Sequence, residues 1–384
     1  MKKMLVAVLA MIATTVHVPA HAQSASALDD LRDMVKAGLF RRNLPACAPD
    51  SPPDQACYLP VDFSVTEAEQ HLGNQIFAYW MNKQTVRIAA RLAPEDNQLC
   101  CTFQGPMDYV GVSKTGDIRG VTLRVPHLRE STLVFALSLH PEMKSITWSG
   151  ENAPVIPKVA TLTGRLDTVT IDSPNLGEKR DLSIYTPQAA APEGGYPVVY
   201  MGDGGMVATY APIVEAMIDR GLIRPVLLVG IMDSHDKRVG EYLSDVAPDL
   251  YRRHEAFVFQ EVLPKAEGEF HAAHTPGQRL IFGFSNGAAW ALGSGLRHAD
   301  VFENVATNAV AGEEAFDFTK AQHQRFYIGA GTYDSLHDRS KQACDDAKAA
   351  GAACAFVESY TGHDPVAAEL VLMAALKATF PASH

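Results

Sequence analysis

Gly283-Phe284-Ser285-Asn286-Gly287 is a G-x-S-x-G element between the apolar run Arg279–Phe284 and the helix-forming run Gly287–Gly295. A strand that feeds a helix through so tight a turn needs flanking residues without bulk. The turn lifts the Ser285 hydroxyl to the helix N-terminus, where partial positive charge stabilises a developing anion. The chemistry this predicts is nucleophilic attack on an acyl carbonyl. A serine hydroxyl needs a base to take its proton. Alone of fourteen histidines, His363 follows the last predicted strand, Ala355–Ser359, and Pro365 opens a helix just beyond it. Asp334, after the strand Arg325–Gly329, is the candidate acid that would fix the imidazole tautomer, with Asp338 as its rival.

Two backbone N–H groups must receive the oxyanion. One belongs to Asn286, the residue after the nucleophile. The other is expected from Gly205 or Gly204, in the loop Gly202-Asp203-Gly204-Gly205-Met206 that follows the predicted strand Pro197–Met201. Arg238 either positions an anionic substrate or pairs with Glu241 to hold a loop. His271-Ala-Ala-His274 lacks the glutamate of a metal-binding H-E-x-x-H and precedes a Thr-Pro-Gly turn, so no metal is expected there. Trp80 and Trp148 read as core residues or as part of a binding face.

The elements that must place these residues fall into two blocks. From about residue 160, predicted strands alternate with helices: a leading hairpin (Thr161–Ile171 with Leu182–Thr186), then Pro197–Met201, a helix Ala211–Arg220, Pro225–Ile231, a helical stretch Phe257–Phe270, the strand and helix around Ser285, the strand Asn304–Asn308, and a closing helix Pro365–Ala378. Such alternation implies an α/β fold with a mostly parallel sheet covered by helices on both faces. Before it, short runs with strand character (Thr85–Leu92, Leu99–Phe103, Arg119–Val125, Thr132–Leu139) are separated by turn-rich segments at 94–97 and 114–117, which predicts a small β-sandwich-like domain over residues 61–155. Residues 23–60 read as an extension, with a short helix Asp29–Leu39 and then a proline-rich stretch. The catalytic domain is expected over residues 160–384.

Lys2 and Lys3, the apolar run Met4–Val16 and the small residues of Ala20-His21-Ala22 have the layout of a cleaved export signal over residues 1–22. Its loss takes Lys+Arg from 33 to 31 against 44 acidic residues, a net charge of −13. Such a surface repels nucleic acid and anionic membranes, and no apolar run is long enough for membrane insertion. Six cysteines in an exported chain predict disulfides. Cys344 with Cys354 and Cys47 with Cys57 are local candidates; Cys100 and Cys101 are adjacent, so at least one is expected to bond elsewhere or stay free.

Asp203-Gly204-Gly205, Arg238-x-x-Glu241-Tyr242, Glu261-Val-Leu-Pro264, the segment around Ser285 and Gly362-His363-Asp364 follow one another in the order and spacing of the putative esterase family, which the chain resembles over roughly residues 160–380. That family includes enterochelin esterases, feruloyl and acetyl-xylan esterases and S-formylglutathione hydrolase. The resemblance implies an α/β-hydrolase fold, a small-molecule ester substrate, a serine triad and no cofactor. A strand-rich domain ahead of the catalytic one looks like the enterochelin esterase architecture. The implied substrate is then the trilactone of a catecholate siderophore, free or as the ferric complex, cleaved in the periplasm or outside the cell. A feruloyl or acetyl-xylan type carbohydrate esterase is the rival enzyme. An acyltransferase or a non-catalytic binding protein on the same scaffold are readings of other classes.

Overall fold

The computed structural model describes residues 44–59, 64–91, 98–107, 117–137 and 145–382. The expected leader at 1–22, the short helix at 29–39 and the turns at 94–97 and 114–116 lie outside the described residues.

Alternation in Thr-Val-Arg-Ile-Ala-Ala-Arg buries Val86, Ile88 and Ala90 on one side of a strand. The same logic repeats through the front block. Its elements are β1 (Cys57–Leu59), α1 (Val65–Leu72), β2 (Phe77–Asn82), β3 (Thr85–Arg91), β4 (Gln98–Cys101), β5 (Gly105–Pro106), β6 (Ile118–Arg124), β7 (Thr132–Leu137) and β8 (Ile146–Ser149). They form two four-stranded antiparallel sheets, ordered β1-β6-β3-β2 and β5-β4-β7-β8. Val86, Ile88 and Leu123 of the first sheet share one core with Leu99, Leu133 and Phe135 of the second. Helix α1 covers the opposite face of the first sheet through Ala68 and Leu72, against Ala89 and Ile118. The Ser64 hydroxyl caps it by accepting the Glu67 N–H.

The second block opens with the antiparallel hairpin β9 (Arg165–Ser173) and β10 (Glu178–Thr186). It continues through β11 (Val198–Met201), α2 (Val207–Asp219), β12 (Leu227–Ile231), α3 (Arg238–Tyr242), α4 (Pro248–Phe257), α5 (Leu263–Phe270), β13 (Arg279–Phe284), α6 (Asn286–Arg297), β14 (Asn304–Asn308), β15 (Arg325–Gly331), α7 (His337–Ala349), β16 (Ala353–Ser359) and α8 (Pro365–Thr379). The eight-stranded sheet runs β16-β15-β14-β13-β11-β12-β10-β9, parallel from β16 to β12. Its apolar runs are continuous because both faces are covered: Val198 and Tyr200 join one core with Val229 and Ile281, Val199 and Met201 the other with Leu228 and Leu280. The single helix expected over 257–270 is α4 and α5 joined by a π-helical turn, Val258–Val262. Pro264 has no N–H to offer the carbonyl of Gln260, so the helix widens just ahead of it.

All six cysteines are paired: Cys47–Cys57, Cys344–Cys354 and Cys100–Cys101. The expectation that Cys100 or Cys101 bonds elsewhere or stays free is corrected. The other four thiols close on near neighbours in sequence, which leaves these two only each other.

Candidate active site

The strand order reverses between β11 and β13, and crevices at such a switch point are where open α/β sheets place their sites. The loop after β11 and the turn after β13 are therefore neighbours. Ser285 stands in that turn with φ 58° and ψ −122°, a conformation that a side chain adopts only under constraint. The constraint is visible at its flanks. A Cβ on Gly283 would lie 1.9 Å from the Gly287 carbonyl oxygen, and one on Gly287 would lie 3.2 Å from Asp203 Oδ2. The Ser285 N–H is held by the Asn308 carbonyl at 3.0 Å, which ties the turn to β14.

His363 reaches Ser285 from the loop between β16 and α8. Its Nε2 is 3.0 Å from Ser285 Oγ and its Nδ1 is 2.9 Å from Asp334 Oδ2. With the proton on Nδ1 facing the carboxylate, Nε2 is the acceptor for the serine hydroxyl. Phe284 packs on the imidazole at 4.8 Å between centroids. The Asp334 carboxylate is fully buried, and its Oδ1 accepts the Leu336 N–H at 2.9 Å. The rival acid, Asp338, lies in the first turn of α7, fully exposed, and meets His337 instead. The geometry thus brings Ser285, His363 and Asp334 together and leaves Asp338 out.

The loop after β11 turns at Asp203 (φ 51°) into a 3₁₀ turn, Gly204–Met206. A side chain on Gly204 would strike the Gly230 carbonyl, 2.8 Å from its Cβ, whereas Gly205 faces only the Met232 methyl at 3.9 Å. Asn286 begins α6, where helical N–H groups have no partner within the helix. Asp203 is held on two sides. Its N–H donates to the Tyr242 hydroxyl at 2.7 Å, and its carboxylate receives Arg238 Nε and Nη2 at 2.5 and 2.8 Å. Burial works against the Arg238 charge, but the Asp203 carboxylate outweighs it and raises the guanidinium pKa. The expected Arg238–Glu241 pair is corrected: Glu241 is buried and bound by Arg180 at 2.7 Å, because α3 turns the two side chains to different neighbours.

The loop that carries His363 leans on the front sandwich. The Asp364 carboxylate accepts the Thr102 hydroxyl at 2.6 Å, and the Tyr333 hydroxyl donates to the Pro126 carbonyl at 2.6 Å. Neither contact was visible in the sequence, since Thr102 and Asp364 are 262 positions apart. Among the described residues, no group of three or more histidine, cysteine or carboxylate side chains is placed to hold a metal ion.

Comparison with known proteins bears on the fold. The chain is similar to the enterobactin esterase of Shigella flexneri crystallised in the presence of enterobactin, at 14% identity and TM-score 0.59, over 84% of this chain and 99% of that one. It is also similar to the ferric enterobactin esterase of Salmonella typhimurium, at 14% identity and TM-score 0.57, over 78% of this chain and 95% of that one. The CE1 ferulic acid esterase of Anaeromyces mucronatus matches at 17% identity and TM-score 0.51, over 60% of this chain and 97% of that one. No curated protein matches the sequence. The fold is that of the α/β-hydrolases, and residues 173–348 match the family model described as "Putative esterase".

Proposed function

We propose that the chain is an exported serine esterase, and the observation that carries this reading is the unbroken path from Asp334 through His363 to Ser285 at hydrogen-bond distances. His363 Nε2 takes the Ser285 proton as Oγ attacks the ester carbonyl. The tetrahedral oxyanion rests on the N–H groups of Asn286 and Gly205, with Gly204 shaping the loop. The alcohol leaves with the proton from His363. Water then enters, gives its proton to His363 and releases the acid from Ser285. Arg238, expected to meet an anionic substrate, serves this reaction by fixing Asp203 at the base of the oxyanion loop. The three disulfides support export, because such bonds persist in oxidising compartments outside the cytosol.

The substrate reading is the trilactone backbone of a catecholate siderophore. It is supported by the extent of the structural likeness. The enterobactin esterase of Shigella flexneri spans 84% of this chain, front domain included, while the ferulic acid esterase spans 60%. One observation favours a second reading, a neutral aromatic ester such as a feruloyl sugar. Among the described residues, the cavity beside Asp334 is lined by Tyr333, Tyr360, His127 and His337 with Asp54, Asp338 and Glu358, and by no lysine or arginine.

The deciding experiment offers an iron-free tricatecholate trilactone, its ferric complex and methyl ferulate to wild type and Ser285→Ala, with products read by mass spectrometry. Linear trimer, dimer and monomer from wild type alone support the siderophore reading. Ferulate release beside an untouched trilactone transfers the assignment to the aromatic ester. No turnover of any ester by the folded wild type sinks the esterase reading.

A further inference from the structure

The residues on either side of His363 are both seated on Thr102, at the end of β4 in the front sandwich. Asp364 is fully buried and caps α8, accepting the Val366 and Ala367 N–H groups at 3.1 and 3.4 Å. Its other oxygen accepts the Gly362 N–H at 2.9 Å and the Thr102 hydroxyl at 2.6 Å. The direction of that last bond is fixed. The Val134 N–H donates to Thr102 Oγ1 at 2.8 Å, so the hydroxyl's own proton goes to the carboxylate. Thr102 is locked to β7 in turn, its N–H donating to the Val134 carbonyl at 3.0 Å. Gly362 presses so closely on this residue that a Cβ there would lie 2.2 Å from the Thr102 carbonyl oxygen.

The acid loop is fastened to the same body. The Tyr333 hydroxyl, one residue from Asp334, bonds the Pro126 carbonyl and lies 2.9 Å from Ser131 Oγ. The Thr132 N–H donates to the Tyr360 carbonyl at 3.1 Å. The sandwich therefore touches both chain segments whose side chains must meet at the imidazole.

We propose that Thr102 is a positioning residue of the triad, which through Asp364 fixes where the His363 ring stands between Ser285 and Asp334. This inference rests on the serine-esterase reading of that site. A hydrogen-bonded pair buried at 0% exposure on both sides leaves the loop a single resting place. Without the hydroxyl, the Asp364 oxygen loses a donor it cannot replace with water, and the loop must move to find one. A displacement near 1 Å at a reacting group costs about 100-fold in rate. Packing between two domains for stability alone would leave kcat untouched.

The test compares wild type with Thr102→Val, which keeps the shape and loses the proton, and Thr102→Ser, which keeps the proton. With p-nitrophenyl acetate, Thr102→Val should lower kcat about 10- to 100-fold at unchanged KM, and Thr102→Ser should restore it. A second readout needs no turnover: the low-field proton resonance of His363 Nδ1–H against Asp334, assigned by its loss in His363→Ala. It should broaden or shift in Thr102→Val and persist in Thr102→Ser. Should Thr102→Val not fold, Asp364→Asn keeps a cap on α8 while turning a donor toward Thr102, and the same losses are expected. A folded Thr102→Val or Asp364→Asn with wild-type kcat and an unaltered resonance overturns the proposal. So does a Thr102→Ser variant as impaired as Thr102→Val. If wild type cleaves no ester, the enzymatic reading fails, and the resonance still decides whether Thr102 positions His363.

Discussion

The oxyanion side and the base side of the site are anchored to different bodies. On the oxyanion side, Asp203 is held by Arg238 and Tyr242, all within the eight-stranded domain, and Tyr242 packs against the buried His254 and Trp290. On the base side, His363 and Asp334 lie on loops fastened to the front sandwich at Thr102, Pro126 and Thr132. The contrast separates two jobs. In the proposed mechanism, donor geometry for the developing charge is intrinsic to one domain, whereas activation of the nucleophile depends on how two domains meet. Changes confined to the front domain should thus reach the proton-transfer step and spare the oxyanion loop.

The largest effect lies where both sides converge. Ser285→Ala should lower kcat by about a million-fold, with the fold intact by circular dichroism. Residual turnover near the wild-type level would mean that neither anchoring system serves this serine. Next is Arg238→Met, which strips the Asp203 carboxylate of its bidentate cation. It should lower kcat about 100-fold on a neutral p-nitrophenyl ester with KM little changed. A rise in KM confined to anionic substrates, at unchanged kcat, would instead place Arg238 against the substrate.

Acidification should split the two sides. Burial drives the His254 pKa down to about 4, so the unfolded chain binds a proton that the folded one refuses between that value and the ordinary 6.5. Stability on the oxyanion side is complete above 6.5 and falls as pH drops toward 4, by on the order of 3 kcal/mol. Burial pushes the Asp364 carboxyl up to about 6 despite its four donors. Here the folded chain holds the extra proton, so the contribution is complete below the ordinary value of 3.8 and is lost as pH rises through 6. Urea unfolding of wild type, His254→Phe and Asp364→Asn between pH 4 and 7 measures both slopes. Equal signs for the two variants would erase the contrast. The smallest effect is expected for Asp338→Asn, whose fully exposed carboxylate meets His337; kcat/KM should stay within about twofold, as for most exposed positions.

What could be read from the sequence was local. Ser285 announced itself because strand, glycines and helix are consecutive, and His363 and Asp334 because strand ends fall at predictable places along an alternating chain. Arg238 was singled out, but its partner was misjudged, since spacing to Glu241 says nothing of the direction in which α3 turns each side chain. Thr102 carried no signal, because its meaning lies in a carboxylate 262 positions away. Of helix α7 only the end, between Cys344 and Cys354, is legible as helix, and no element is assigned to the stretch that holds α1 and β2. The Cys100–Cys101 bridge runs against the expectation drawn from adjacency, because the four other thiols pair locally.

Strand β16, which leads directly into the His363 loop, is the last in its sheet among the described residues and leaves one row of backbone N–H and C=O groups with no neighbouring strand among them. Such a row is a template on which a second chain can stack. Cys354, second in that strand, is bonded to Cys344 in α7, and closing that ten-residue separation removes about 3 kcal/mol of chain entropy from the unfolded state. The bond also keeps the border strand from peeling away from its helix. A reductant strong enough to open it would expose an adhesive margin next to His363, and self-association would compete with refolding.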